Sequence, residues 1–242
     1  MKITKIVDKV PLTEYFDESL NVFKGVAFIV HGHTGNKDFH DIQRYPLELM
    51  NRGYYTISLD AYKHGQRQEE PYISLPYIDK TLAMPEVIYR TVLDIIMLFE
   101  NHYKKISSRL LVSGTSMGGH IAFQMPKYYP STYAIIPLIG SPDMINHYFM
   151  TKKTFLGDKI ILCKEEVKAL EIDDLSPYLN CKIAFYNGTK DEVVESRFIL
   201  PFYQKLLELK HPFIEYKEFE CGHVVTDEML DFMASFLDRL ND

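Results

Sequence analysis

Short runs of β-branched and aromatic residues alternate along this chain with segments whose apolar residues recur every three or four positions. Each run is too short for a helix and leads into Gly, Asp or Ser, so we interpret it as a buried strand. Strands separated by helices form mainly parallel sheets that helices cover on both faces. The predicted strands are 25–30, 54–59, 110–113, 133–138 and 182–186, with a strand-like run at 213–219. We therefore predict an α/β fold.

Two helices and a hairpin complete this outline. A helix is predicted over Glu86–Tyr103, where Pro85 suits the first turn. Asp227 is the predicted N-cap of a last helix. Residues 1–24 alternate without a helical stripe and predict an antiparallel hairpin. The apolar stripes of the two helices are Ile88, Val92, Ile95, Ile96 and Phe99, and Leu230, Met233, Ala234 and Leu237.

Composition limits the class of protein. The 242 residues carry a formal net charge of −6, which argues against a strongly basic nucleic-acid binder. A chain of this length can bury one sizeable core, so we predict a single domain over residues 1–242. The three cysteines are scattered, which argues against a disulfide framework or a zinc knuckle. Without a secretory signal or a long apolar run, we expect a soluble cytoplasmic protein.

The segment Gly114-Thr-Ser-Met-Gly-Gly119 carries the strongest chemical signal. It matches G-x-S-x-G, follows a predicted strand directly and opens a helical segment. A serine on such a sharp turn needs glycines beside it, because larger side chains would collide with adjacent elements. The turn exposes the hydroxyl and directs the helix N-terminus at any oxyanion that forms. Ser116 is therefore the candidate nucleophile, against the alternative of an ordinary Gly-rich turn.

A serine hydroxyl needs a base, and the base needs an orienting carboxylate. Asp191 and His223 follow the predicted strands 182–186 and 213–219, in the order nucleophile, acid, base. The carboxyl ends of strands are where open α/β sheets build their sites. Asp143 also follows a strand and is an alternative acid. Asp191 is preferred because its Gly-rich turn and the following valines suit a loop packed beneath the histidine.

The segment His31-Gly-His-Thr-Gly-Asn-Lys-Asp38 follows the first parallel strand. Its glycines let the backbone pass close to the nucleophile, so one of its amides can join the Met117 amide in binding a tetrahedral oxyanion. A competing interpretation takes His31, His33 and His40 as metal ligands. That pattern is unspecific without a placed carboxylate, and the serine mechanism needs no metal.

Residues from about Ser141 to Pro177 interrupt the alternation of strands and helices. Charged residues are crowded there, and Tyr148, Phe149 and Phe155 lie among them. Long connections often cover sites. A cap-like insertion, with these aromatic residues lining an apolar pocket beside Ser116, and a solvated connector are both consistent with this segment.

These motifs together resemble the α/β-hydrolases, and more narrowly the small bacterial carboxylesterases of the prolyl-oligopeptidase-like and cinnamoyl-esterase branch. The resemblance covers about Gly25 to the C-terminus and rests on HGHTGNK, GTSMGG, GTKDEVV and GHVV in family order. It implies an α/β-hydrolase fold with Ser116 as nucleophile, Asp191 as acid and His223 as base. It also implies that the amides of His33 and Met117 form the oxyanion hole.

The resemblance further implies acyl transfer to water on short-chain or aryl carboxylic esters. No cofactor and no metal is needed, the partner is a small-molecule ester, no nucleic acid or membrane is involved, and a homodimer is left open. The loop Asp60–Arg67 resembles the family's D-x-x-x-H-G-x-R loop and is either structural or a substrate contact. The alternatives in function are a thioesterase or amidase with the same residues, or a ligand-binding protein on a hydrolase fold.

Overall fold

A computed structural model of the chain describes residues 1–39 and 44–240. The strands of these residues are β1 (Lys2–Val7), β2 (Val10–Tyr15), β3 (Gly25–Val30), β4 (Tyr54–Leu59), β5 (Leu110–Thr115), β6 (Ala134–Leu138), β7 (Lys182–Gly188) and β8 (Ile214–Phe219). They form one eight-stranded sheet in the order β1-β2-β4-β3-β5-β6-β7-β8. β1 and β2 form an antiparallel hairpin that joins β4, and all later neighbours are parallel. The predicted α/β fold with an N-terminal hairpin is confirmed.

Helices cover both faces of the sheet. The α-helices in the described residues are α1 (Tyr45–Asn51), α2 (Tyr77–Leu82), α3 (Met84–Leu98), α4 (Met117–Tyr128), α5 (Met144–Asn146), α6 (Lys153–Leu156), α7 (Lys164–Ala169), α8 (Leu200–Glu208) and α9 (Asp227–Arg239). Tighter 3₁₀ turns lie at Gly65–Arg67, Tyr72–Ser74, Gly157–Cys163, Ser176–Tyr178 and Ser196–Phe198, and wider π turns at Phe99–Tyr103 and His147–Lys152.

The central strand β3 shows how the core is divided. Successive side chains of a strand point to opposite faces. Val26, Phe28 and Val30 accordingly belong to one apolar layer, with α3, α4 and α8. Ala27 and Ile29 belong to the other layer, with α1 and α9. All five side chains are fully buried, as expected for a parallel strand covered on both sides.

Several predicted boundaries shift in the structure, including those of α9, α3 and β5. The N-cap of α9 is Thr226, not Asp227, because the Thr226 hydroxyl accepts a hydrogen bond from the Met229 amide at 3.2 Å. The helix predicted to reach Tyr103 ends as α3 at Leu98 and continues as a π turn. β5 is two residues longer than predicted and therefore leads directly into Ser116.

The segment 141–177 is a series of short helical pieces. It packs on the core through buried side chains such as Tyr148 and Leu156. The Tyr148 hydroxyl donates a hydrogen bond to the Thr81 carbonyl at 2.9 Å, which joins the segment to α2. In the part of the chain that the structure describes, no helix has both the length and the apolar character required to cross a bilayer.

Candidate active site

Ser116 occupies a sharp turn between β5 and α4. Its backbone has φ 56° and ψ −111°, in the positive-φ region that residues other than glycine rarely adopt. Such a conformation costs on the order of 1–3 kcal/mol and persists only where the surroundings impose it. β5 and α4 impose it here, because the strand ends at Thr115 and the helix begins at Met117.

Two glycines make this turn sterically feasible. A Cβ atom on Gly118 would lie 2.0 Å from the carbonyl oxygen of Val30, and one on Gly114 would lie 2.6 Å from the same oxygen. Both distances are far below van der Waals contact. The close approach of α4 to the end of β3 therefore requires glycine at both positions.

The structure brings His223 and Asp191 to Ser116. The distance from Nε2 of His223 to Oγ of Ser116 is 2.8 Å, and the distance from Nδ1 of His223 to Oδ2 of Asp191 is 2.7 Å. Asp191 follows β7 and its side chain is fully buried, whereas a quarter of the His223 side chain is exposed. The three side chains thus form one hydrogen-bonded chain that opens toward solvent at the serine.

The surroundings of Asp191 determine which ring nitrogen of His223 carries the proton. Oδ1 of Asp191 accepts hydrogen bonds from the amides of Val193 and Val194, at 2.8 and 2.9 Å. Oδ2 then faces Nδ1 of His223, and a carboxylate oxygen can only accept. Nδ1 therefore carries a proton, which leaves the lone pair of Nε2 directed at the Ser116 hydroxyl.

Asp143, the alternative acid, has a different role in the structure. Its carboxylate caps the short helix α5 by accepting hydrogen bonds from the amide of Asn146 at 2.9 Å and from its side-chain nitrogen at 2.7 Å. The carboxylate that is hydrogen-bonded to His223 is that of Asp191.

The 31–38 loop runs beside the nucleophile. A Cβ atom on Gly32 would lie 3.6 Å from Cβ of Ser116. His31 holds this loop from beneath, because its Nε2 accepts a hydrogen bond from the Ala61 amide at 3.1 Å, and its Nδ1 donates to the Gly32 carbonyl at 2.7 Å. Met117 is the first residue of α4, so no helical carbonyl accepts its amide.

The proposed metal ligands are not arranged as a metal site in the described residues. Both ring nitrogens of His31 are used in the backbone contacts above. Burial, reinforced by His64 and Lys152, lowers the pKa of His33 from 6.5 to about 4. No group of three His, Cys, Asp or Glu side chains within 1–39 and 44–240 could hold a metal ion. His40 lies outside the described residues.

The Asp60–Arg67 loop has structural contacts. The Asp60 carboxylate accepts hydrogen bonds from the amides of Lys37 and Gln66, at 2.7 and 2.9 Å. Arg67 pairs with Asp94 on α3, at 2.7 Å. These contacts tie the loop to the 31–38 loop and to α3, and neither Asp60 nor Arg67 lines the cleft at Ser116.

A cleft of about 550 Å³ opens above Ser116. Its walls come from the 31–38 loop, from α2 and the start of α3, and from the loops that carry the acid and the base. The lining includes Gly32, His33, Asn36, Phe39, Tyr77, Thr81, Met84, Thr115, His120, Ile139, His147, Lys152, Val193, Val194, His223, Val224 and Val225. The surface is mainly apolar, with polar groups at a few points.

The residues of the segment 141–177 that line this cleft differ from the predicted ones. Its lining side chains are His147 and Lys152, and the prediction that Tyr148, Phe149 and Phe155 line the pocket is wrong. Tyr148 points into the core, and Phe155 is 46% exposed on the outer surface.

Sequence reasoning missed His120, His147 and Lys152 as cleft residues. A helical period of 3.6 places residues 147 and 152 on different sides of a helix. The π turn closes i to i+5 hydrogen bonds and so brings residues five apart to the same side. The sequence does contain a signal for His120. It lies one helical turn after Ser116, and residues four apart lie on the same face of a helix.

Comparisons with known proteins agree with this architecture. No family model matches the chain. The chain is 26% identical over 202 residues to "Putative esterase YitV" of Bacillus subtilis (strain 168), covering 75% of this chain and 74% of that protein. The solved structure of TT1662 from Thermus thermophilus superposes with a TM-score of 0.74 at 18% identity, over 99% of this chain and 98% of the other.

A further solved structure, the esterase Pf2001 of Pyrococcus furiosus, superposes with a TM-score of 0.65 at 18% identity, over 99% of this chain and 92% of that one. Both structural likenesses cover 99% of this chain. Together with the strand order, they confirm the fold that the sequence motifs imply: the chain has the α/β-hydrolase fold.

Proposed function

We propose that the chain is a serine hydrolase that cleaves short-chain or aryl carboxylic esters through an acyl-enzyme on Ser116. The hydrogen-bonded chain from Ser116 through His223 to Asp191 carries this proposal. It supplies a nucleophile, a base with its lone pair on the serine, and a buried carboxylate that fixes the base. The similarity to proteins described as esterases supports the same conclusion.

The first half of the reaction forms the acyl-enzyme. His223 takes the proton of Ser116 as Oγ attacks the ester carbonyl carbon, and the carbonyl oxygen becomes an oxyanion. The amides of His33 and Met117 donate hydrogen bonds to that oxyanion. His223 then gives its proton to the departing alkoxide, and the alcohol leaves as the carbonyl re-forms.

The second half repeats these steps with water. His223 takes a proton from water as the oxygen attacks the acyl carbon, and the same amides hold the second oxyanion. The proton returns to Oγ of Ser116 when the carboxylic acid leaves. Asp191 remains a carboxylate throughout and stabilises the imidazolium that forms twice in each cycle.

The cleft supports the choice of substrate class. Its apolar side chains, including Phe39, Tyr77 and Met84, suit an aryl group or a short acyl chain. A site of this kind buries most of a small ligand and orients it with a few polar groups. Esters also have better leaving groups than amides.

The proposal is tested with purified protein and 4-nitrophenyl butyrate. Ser116→Ala is expected to lower kcat by at least about 10³-fold, because loss of the nucleophile removes the covalent route. A fluorophosphonate should add one label to the wild type, at Ser116. Ser235→Ala is the matched control, because Ser235 is an exposed residue of α9.

Two results would contradict the proposal. Near-normal turnover by Ser116→Ala would show that the serine is not the nucleophile. Faster cleavage of a butyryl thioester or a butyryl anilide than of the butyryl ester would replace the ester with the corresponding thioester or amide as the substrate class.

A further inference from the structure

The lining of the cleft, as far as the structure describes it, contains basic side chains and no acidic ones, although the chain as a whole is acidic. Its described lining residues include one lysine, Lys152, and four histidines, and no Asp or Glu is among them. The formal net charge of the chain is −6. The scarcity of acidic groups around Ser116 is therefore a local property of the cleft.

Lys152 has no ion-pair partner among the described residues. It is half-buried at the end of the π turn, and burial lowers its pKa while the charge of Asp191 acts in the opposite direction. Asp191 is the source of nearby negative charge, but its two oxygens are occupied by His223 and by the amides of Val193 and Val194. Most lysines of known proteins avoid burial unless they are paired.

His147 provides a second, independent observation. Its side chain is 1% exposed, and both ring nitrogens are buried without a hydrogen-bond partner in the described residues. A buried polar group left without a partner costs about 1–3 kcal/mol. Burial, together with the neighbouring His120 and Lys152, lowers the pKa of His147 well below 6.5, so the ring is neutral and keeps one N–H donor.

The π turn places these two residues together. His147 begins the turn and Lys152 ends it, and both side chains line the cleft that contains Ser116. The ring of His147 also packs against His120, with 4.9 Å between ring centres, which limits its rotation. The same wall therefore presents one lysine and one neutral N–H donor, and both groups can hydrogen-bond to an anion.

We propose that the substrate of this site is an ester that also carries a carboxylate, and that Lys152 and His147 bind this carboxylate while Ser116 attacks the ester bond. This inference rests on the proposed function, because it specifies the substrate of the same serine. One negative charge balances the single charge of Lys152. A carboxylate also has two acceptor oxygens, one for the ammonium and one for the imidazole N–H.

A carboxylate explains these observations better than a phosphate monoester does. A phosphate carries close to two negative charges at neutral pH, and its usual protein partners are several cations or arginines. Lys152 is the one lysine or arginine in the described lining of the cleft.

The first experiment compares matched charged and neutral esters. On the acyl side, the 4-nitrophenyl hemiester of adipic acid is compared with its methylated form, 4-nitrophenyl methyl adipate. On the alcohol side, 4-acetoxybenzoate is compared with methyl 4-acetoxybenzoate. The quantity of interest is the ratio of kcat/KM for the charged ester to that for the neutral ester, after subtraction of the uncatalysed rate.

The wild type should prefer the charged member of at least one pair. Lys152→Met is expected to lower that charged-to-neutral ratio by about 10- to 100-fold, the usual effect of losing a charged hydrogen bond. Lys152→Arg should restore most of the ratio, because it keeps the charge. Lys153→Met is the matched control, since Lys153 is an exposed neighbour outside the cleft lining.

A binding measurement separates this inference from the proposed function. Ser116→Ala is titrated calorimetrically with monomethyl adipate, dimethyl adipate, 4-acetoxybenzoate and methyl 4-acetoxybenzoate, so that no turnover is needed. The charged member of one pair should bind at least about 10-fold more tightly, and the addition of Lys152→Met should abolish that difference.

The outcomes are distinct. If wild-type protein cleaves neutral esters but neither the rates nor the binding favours a charged ligand, the carboxylate site is wrong and the proposed function stands. If no ester is cleaved but charged ligands bind through Lys152, the carboxylate site stands and the proposed function is wrong. Tighter binding of phenyl phosphate than of benzoate to Ser116→Ala would overturn the choice of a carboxylate.

Discussion

Nδ1 of His223 lies 2.7 Å from Oδ2 of Asp191, while the other oxygen of this carboxylate accepts two backbone amides. Each oxygen of Asp191 therefore has a fixed set of donors. An asparagine at this position would keep its carbonyl oxygen on the amides of Val193 and Val194 and turn its NH₂ group toward His223. The imidazole would then place its lone pair on Nδ1 and its proton on Nε2, facing Ser116.

We expect Asp191→Asn to lower kcat by roughly 10³- to 10⁴-fold, because the histidine then has the tautomer that cannot accept the serine proton. The change is nearly isosteric, so folding should be retained. Asp143→Asn is the control, since Asp143 is an acid that caps α5 and does not contact His223. The measurement is kcat on 4-nitrophenyl butyrate. A large loss in Asp143→Asn with little loss in Asp191→Asn would reverse the assignment.

A second prediction concerns the packing of the serine turn. Gly118→Ala should lower the free energy of unfolding by about 3 kcal/mol or prevent folding, because its Cβ would meet a fixed carbonyl oxygen, that of Val30, at 2.0 Å. Gly222→Ala is the control. Its Cβ would have ordinary contact, 3.7 Å from the Lys190 carbonyl oxygen. The free energies are measured by urea denaturation of both variants.

Equal stability of Gly118→Ala and the wild type would show that α4 can move away from β3. The close approach of these elements would then not depend on glycine at this position.

The positions of Ser116, Asp191 and His223 could be predicted from the sequence for a simple physical reason. Each follows a segment that is recognisable as a strand, and parallel strands bring their carboxyl ends to one edge of the sheet. The order of the strands in the sheet was not needed for this inference. The inference requires only that the carboxyl ends of the three strands lie at the same edge of the sheet.

The other wall of the cleft could not be predicted in this way. His147 and Lys152 share a side only because the chain forms a π turn there, and a 3.6-residue period assigns them to different sides. The sequence predicts that Tyr148 lines the cleft, because a long connection often covers a site. The structure buries this tyrosine and satisfies its hydroxyl with the Thr81 carbonyl.

A third prediction concerns metals. The contacts of His31 with the Ala61 amide and the Gly32 carbonyl use both ring nitrogens, so this residue holds the loop and has no free nitrogen for a metal. We expect dialysis against EDTA to leave kcat/KM unchanged within about 2-fold, since the serine mechanism needs no Lewis acid. Loss of activity on dialysis, with recovery on addition of zinc, would restore a metal role for the 31–40 region.

A fourth prediction concerns stability in acid. His120 is 1% exposed, its Nδ1 lies 3.0 Å from the Ser141 amide, and burial lowers its pKa from 6.5 to about 4. Between these two pH values the unfolded chain binds a proton that the folded chain does not. The stabilisation from this residue is therefore complete above pH 6.5 and is lost as the pH falls toward 4.

This single histidine should account for roughly 2 kcal/mol of lost stability between pH 7 and pH 5, from the difference between its two pKa values. His120→Asn keeps an acceptor near Nδ1 but does not titrate in this range. Its free energy of unfolding, measured in urea at both pH values, should therefore fall less on acidification than that of the wild type. Ile121→Val, a buried neighbour on α4, should lower stability by about 1 kcal/mol at both pH values and leave the difference between them unchanged. An unchanged pH dependence in His120→Asn would mean that acid destabilisation arises from other buried groups, with His147 as the next to test because burial lowers its pKa as well.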